Sequence, residues 1–237
     1  MTVFGAVFAR GGSKGVPGKN LREVGGKSLL RIAVELGIAS PEIERVLVST
    51  DDLKIAAEAR ESKAEVPFFR PSNFSQDSSP EWLAWQHLTN YLLDLGASES
   101  DTLVSLPTTA PLRQLDDVHN AIELFRESDF DLVLGVAASQ GSPWFNMVTR
   151  DPKNQVALIS PSATDAPYRR QDAKPAFTIT TAVYVTSLGF VRNNSAMFSG
   201  RVGSVLVPQE RALDIDTELD LEVAEYLMAR RLGARNA

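Results

Sequence analysis

Short apolar runs suited to strands alternate along this chain with stretches of helical spacing, and that alternation constrains the fold more than any other feature. Residues 3–8 form an apolar run that ends in a glycine-rich turn, and helical spacing follows over 29–39. Residues 46–50 read as strand, 55–62 as helix, 66–69 as a short strand and 80–95 as helix. Residues 102–106 read as strand, 116–127 as helix and 132–136 as strand, and after a break 178–185 as strand and 219–232 as helix. Repeated βαβ units of this kind predict an α/β fold, a doubly wound and mainly parallel sheet covered by helices. Ligands in such sheets collect beyond the carboxyl ends of the strands. The glycine turn, the "STDD" at 49–52 and the "LPTTAPLR" at 106–113 all follow strands, so they are expected to meet on one rim.

From 139 to 177 the rhythm gives way to sequence rich in Pro, Ser and Asp, with apolar islands at 144–148 and 156–159. A connection of that length is rarely structureless inside a compact domain. It predicts a small β-rich lobe inserted between 1–138 and 178–237. Trp144, Phe145 and Met147 in the insertion are side chains typical of an interface core, so the lobe is expected to build a homodimer.

The turn "ARGGSKGVPGKN" at 9–20 carries the strongest chemical signal. Six basic residues lie between positions 10 and 31 (Arg10, Lys14, Lys19, Arg22, Lys27, Arg31), against Glu23 alone, in a chain whose net charge is −6. The overall acidity argues against a nucleic-acid surface, and the local excess points to a small anion. A solvated basic loop is the bland alternative, but it gives no reason for so many glycines, which let backbone N–H groups approach phosphate oxygens. Neither standard nucleotide loop fits. A P-loop needs G-x-x-x-x-G-K-[ST]; Gly18-Lys19 has Ser13 at the first position and Asn20 at the last, and Gly26-Lys27-Ser28 has Leu21 at the first. The spacing of Gly11, Gly12, Gly15 and Gly18 also misses the G-x-G-x-x-G of dinucleotide folds.

Asp214 and Asp216 in "LDIDTELD" sit two apart, so in an extended segment both carboxylates face the same side and suit one Mg²⁺ or Mn²⁺ ion. Helix capping by Asp216 or Thr217 is the alternative, and it accounts for one such side chain and not for Asp214 as well. No cysteine is present, which excludes disulfides and thiol catalysis. No apolar run reaches the roughly 20 residues of a membrane span, and the first residues lack signal-peptide character. The expected setting is therefore cytoplasmic. His87 and His119 fall in helical patterns and are read as structural or surface residues, and Trp82, Trp85 and Phe125 as core.

The string at 9–20 resembles the signature of the acylneuraminate cytidylyltransferases, the CMP-sialic acid synthetases. The likeness continues through "VSTDD" at 48–52, "RPSNFSQDSSP" at 70–80, "TAPLR" at 109–113, "YRRQ" at 168–171 and "LDIDTELDLEVAE" at 213–225. It implies a CTP-dependent enzyme that transfers CMP to the anomeric hydroxyl of a nonulosonic acid, a nine-carbon keto-sugar acid, and makes a nucleotide sugar and pyrophosphate. It assigns nucleotide contacts to Arg10, Ser13, Lys14, Lys19, Asn20, Arg70, Asp77, Thr108, Thr109 and Arg113. Arg10, Lys14 and Lys19 would neutralise charge on the departing pyrophosphate, and Asp214 and Asp216 would hold the metal. Arg170 with Gln171 would grip the acceptor carboxylate, and Thr180 and Thr181 would shape the sugar pocket. The sequence departs from the family pattern in two places: Pro107 stands where many relatives have Gln, and Thr180-Thr181 where sialic acid synthetases have Asn-Gly. A Kdo-type cytidylyltransferase, a nucleotide-dependent kinase and a non-catalytic nucleotide-binding module are the competing readings.

Overall fold

A computed structural model describes residues 1–13, 15–74, 79–160 and 174–235. In chain order these form β1 (Val3–Phe8), β2 (Glu23–Val24), β3 (Lys27–Ser28), α1 (Leu29–Ala39), β4 (Arg45–Ser49), α2 (Leu53–Glu61), α3 (Glu81–Asp94) and β5 (Thr102–Ser105). There follow α4 (Leu115–Glu127), β6 (Leu132–Ala138), β7 (Val148–Arg150), β8 (Val156–Leu158), β9 (Phe177–Ser187), α5 (Leu188–Asn193), β10 (Val202–Leu206) and α6 (Glu218–Arg235). Six strands make one sheet in the order β10-β6-β9-β5-β1-β4. Strand β1 runs parallel to β4 and β5, β10 parallel to β6, and β9 antiparallel to both β5 and β6. The expected doubly wound α/β fold is present, with β9 as the reversed strand.

Side chains that alternate along the strands divide the core into two layers. Val3, Val7, Val48, Val104, Val133 and Val185 pack against α1, α2 and α4. Phe4, Ala6, Leu47, Leu103 and Leu132 face the other way, onto Trp82, Trp85 and Leu88 of α3 and Leu188 of α5. The tryptophans are therefore core, as their spacing suggests. The helices begin where side chains take up free backbone N–H groups. Ser28 accepts from the Arg31 N–H at the start of α1, and Asp52 from the N–H groups of Lys54 and Ile55 at the start of α2.

Three departures from the sequence reading have local causes. Residues 66–69 form no strand; the chain there makes only isolated bridges, Glu65 with Leu47 of β4 and Phe69 with Thr50 just after it, because Pro67 supplies no N–H to a ladder. Edge strand β10 escapes a reading by apolar pattern because Gly203 interrupts it. A Cβ there would lie 2.3 Å from the Phe130 ring, so packing excludes every larger residue. The β2–β3 ribbon turns on Gly25 and Gly26, both left-handed (φ 61° and 75°), the backbone that a two-residue hairpin loop requires. Within the expected insertion, β7 and β8 pair as an antiparallel hairpin on the two apolar islands.

A third, smaller apolar cluster positions the site. Val16 of the glycine turn, Val24, Leu29, Ile215, Leu221 and Ala224 pack together with Leu213 and Met228 around them. Ile215 has no exposed surface, and full burial of such a side chain contributes about 1.5–3 kcal/mol. Ile215→Ala is expected to cost about 2–4 kcal/mol through the cavity it leaves. Urea unfolding should show a lower midpoint with an unchanged slope; a loss below about 1 kcal/mol would mean that the cluster collapses freely around the gap.

Candidate active site

The carboxyl ends of β1, β4 and β5 open on one rim, and β9, running the other way, brings its first residues to the same place. A cleft of about 500 Å³ lies there. Of the residues singled out from the sequence, Arg10, Ser13, Lys19, Asn20 and Arg70 line it from the first two segments. Thr108, Thr109, Thr181 and Asp216 line it from the others, so most of the expected site is brought together.

The glycine turn is braced from both sides. Its Gly11 N–H donates to Asp51 Oδ1 at 3.0 Å, which gives the "STDD" segment a structural task. The buried Asn20 amide donates through Nδ2 to the Arg10 carbonyl at 2.8 Å and accepts at Oδ1 from the Thr108 hydroxyl at 2.6 Å. Asn20 and Thr108 thus tie the turn to the segment after β5 while edging the cleft. Lys19 Nζ donates to the Ile215 carbonyl at 2.6 Å and lies 3.2 Å from Asp216 Oδ1. Its charge is shared between the turn and the acidic segment. Gly15 completes the join: a Cβ there would sit 2.3 Å from the Asp216 carbonyl oxygen, so the two backbones touch as only glycine allows.

The acidic segment is held in register by the Ile215 N–H, which donates to the Thr109 carbonyl at 2.9 Å. With Ile215 buried on one side, Asp214 and Asp216 point to the other. Helix capping is carried out by neither of them. Thr217 and Asp220 cap α6 reciprocally: the Asp220 N–H donates to Thr217 Oγ1, and the Thr217 N–H and hydroxyl donate to Asp220 Oδ2. The Asp216 side chain is 75% exposed at the cleft, and Asp214 Oδ1 is buried with no hydrogen-bond partner. An orphaned carboxylate oxygen beside an open carboxylate is a donor set that fits a hard cation, which keeps water and phosphate as its other ligands. Among the described residues no cluster of three acidic or histidine side chains offers a closed metal site.

Arg70 is almost wholly buried, 3.9 Å from Asp51 Oδ1. Burial lowers its pKa, Asp51 and Glu81 oppose that, and Arg10 adds to it. Glu81, at the first position of α3, was not singled out, since an acid in the first turn of a helix is ordinary. It lines the cleft, and burial of its carboxyl raises the pKa; the Trp85 N–H and Arg70 counteract this and Asp214 reinforces it. Tyr184 forms part of the same wall, its hydroxyl pushed up to about 12 by burial, Glu81 and Asp214.

Two expected contacts are placed elsewhere. Arg113 is buried beneath the cleft and does not line it. Its Nη1 donates to the Ala182 carbonyl at 2.8 Å and its Nη2 to the Pro107 carbonyl, and burial pushes its pKa down to about 9 against the opposing Asp117. It fastens the 107–113 segment to β9, which corrects the expected nucleotide contact. Thr180 points away from the cleft because neighbouring strand residues face opposite ways. It is buried against Gly135, where β6 and β9 slip register. Thr181 is the cleft residue of the pair, and its hydroxyl accepts from Thr109 Oγ1 at 3.1 Å. Lys14, Asp77, Arg170 and Gln171 lie outside the described residues.

The profile of the cytidylyltransferase family matches residues 5–186. The chain is 25% identical to a post-translational flagellin modification protein B of Campylobacter coli, over 95% of this chain and 94% of that one. It is 26% identical to a CMP-N,N'-diacetyllegionaminic acid synthase of Campylobacter jejuni, over 94% and 93% of the two chains. Its fold superposes on that of a CMP:2-keto-3-deoxy-manno-octonic acid synthetase complexed with CTP, with a TM-score of 0.72 at 17% identity, over 98% and 100% of the chains.

Gly15→Ala is expected to leave the helix content unchanged while displacing the turn from the acidic segment. Calorimetry should show affinity for a nucleoside triphosphate lower by about ten-fold, equivalent to about 1.4 kcal/mol. Unchanged affinity would mean that this backbone contact does not shape the site.

Proposed function

This chain belongs to the cytidylyltransferase family, and we propose that it transfers CMP from CTP to the anomeric hydroxyl of a nonulosonic acid, releasing pyrophosphate. The observation that carries this reading is the meeting of the glycine turn and Lys19 with Asp216 across one cleft. A polyphosphate lying against the turn would have its reacting end at the two carboxylates. The C. jejuni relative's name describes a product in which CMP is joined to such a sugar acid, which supports the acceptor class.

The reaction joins the acceptor hydroxyl oxygen to the α-phosphorus and breaks the bond to the β-phosphate, so most of the catalysis is positioning and charge neutralisation. Arg10 and Ser13, with the backbone of the turn, orient the phosphates, Lys19 and Lys14 balance the charge gained by pyrophosphate, and Arg70 holds the nucleoside end. Asp214 and Asp216 would hold a Mg²⁺ or Mn²⁺ ion, which would supply charge that stabilises the phosphate oxygens and lowers the pKa of the attacking hydroxyl. Arg170, with Gln171, grips the acceptor carboxylate through its planar fork, and Thr181 borders the sugar.

Asp216→Asn and Asp214→Asn are expected to fold normally and to lower Mg²⁺-dependent pyrophosphate release at saturating CTP by about 100-fold or more, the scale of losing one charge-stabilising group. Near-normal rates in both variants would rule out this metal site.

The insertion at 139–177 serves in this reading as a dimerisation lobe. Val148, Val156, Ile159 and Phe177 are about half exposed within it, and Ile179, also on β9, is exposed as well. Light scattering at micromolar concentration should give twice the 25.8 kDa chain mass; a monomer would contradict the role given to the lobe.

A further inference from the structure

Glu81 is a carboxylate in a cleft that receives a polyanion, and nothing in phosphate binding calls for it. Among the described residues that line the cleft, the acids are Glu81 and Asp216, and Asp216 is paired with Lys19. Glu81 belongs to a different stretch of wall. Trp85, which donates its indole N–H to Glu81 Oε1 at 3.2 Å, stacks on Phe8 at 5.9 Å, and Phe8, Phe74 and Ala84 give this part of the cleft an apolar surface. Arg70 opens onto the same space and is electrostatically coupled to Glu81. An apolar wall with one donor fork and one acceptor is the complement of a flat heterocycle that has hydrogen-bonding edges.

We propose that Glu81 reads the base: Oε2 accepts from the exocyclic amine of cytosine, next to Arg70, whose contact with the base the family resemblance already implies, so that Glu81 selects CTP over UTP. The inference rests on the reading of the cleft as a CTP site and adds a specificity-determining residue to it. Cytosine presents two acceptors and an amine donor along this edge, and a carboxylate is the natural partner of that amine. Uracil presents a carbonyl in place of the amine, and two acceptors then face each other with no proton between them. The Trp85 indole fixes which oxygen is turned inward, because a buried N–H must keep an acceptor.

That constraint makes the amide variant informative. In Glu81→Gln the side-chain carbonyl is retained by the Trp85 N–H, so the amide NH₂ turns into the cleft and meets the uracil carbonyl. Binding of CTP and UTP, measured separately by calorimetry without acceptor, should favour CTP in the wild type. The CTP-to-UTP affinity ratio should fall by about ten-fold or more in Glu81→Gln. Glu81→Ala, which supplies neither donor nor acceptor, should weaken CTP and, with the opposed acceptor gone, strengthen UTP, and it serves if the amide variant does not fold. An equal loss for both nucleotides, an unchanged ratio, or a wild type without preference would overturn the proposal; the first of these would move Glu81 to the ribose. A shifted ratio together with no pyrophosphate release from CTP and any nonulosonic acid would sink the acceptor assignment and leave the base reading standing.

Discussion

The burial of Ile215 against Val16 is the contact on which the rest of the site depends. The glycine turn and the acidic segment are nearly 200 residues apart and carry opposite charges at their tips. Electrostatics alone does not hold them in register, since exposed ion pairs contribute little and are screened by salt. The apolar cluster under them supplies the fixed geometry. Once Ile215 is seated, its N–H reaches the Thr109 carbonyl, its carbonyl takes the Lys19 ammonium, and the neighbouring Asp216 backbone lies on Gly15. Three segments are located by one side chain, and Asp216 is left lining the cleft, with Asp214 two residues before it.

Charge is distributed around that frame according to burial. Arg113 is sunk where two backbone carbonyls take its donors, and it acts as a fastener between the 107–113 segment and β9. Arg70, also buried, stays at the cleft wall between the acids Asp51 and Glu81 on one hand and Arg10 on the other. Buried guanidinium groups are costly unless paired, so each arginine marks a place where the fold has committed partners to it. The partners differ in kind: carbonyls of the chain for Arg113, acidic side chains beside an open cleft for Arg70. That difference separates an arginine that fastens two segments from one that lines the cleft.

Much of this was legible in the sequence because the signals were local. The strand–turn–helix rhythm foretold the sheet, and α1 begins and ends where its helical spacing does. The reversed direction of β9 was not legible, because strand propensity says nothing about which neighbour a strand will pair with. For the same reason the tasks of Thr180 and Thr181 could not be told apart. Their sequence is nearly symmetric, and only the register of β9 against β6 turns one hydroxyl toward Gly135 and the other toward Thr109. Arg113 is given a nucleotide contact by the family resemblance alone; its burial is a tertiary fact that a motif does not carry. Glu81 escaped notice for the opposite reason, as an acid at a helix start needs no special explanation until the cleft is seen beside it.

The central claim is that the glycine turn and the Asp214–Asp216 segment are two walls of a single CTP site. A crystal structure with CTP and Mn²⁺, the metal located by its anomalous signal, tests it most directly. The account predicts the triphosphate against the Gly11–Lys19 turn, with a Mn²⁺ peak at the carboxylates of Asp214 and Asp216. A triphosphate bound away from the turn, or a metal peak that leaves both aspartates untouched, would contradict it.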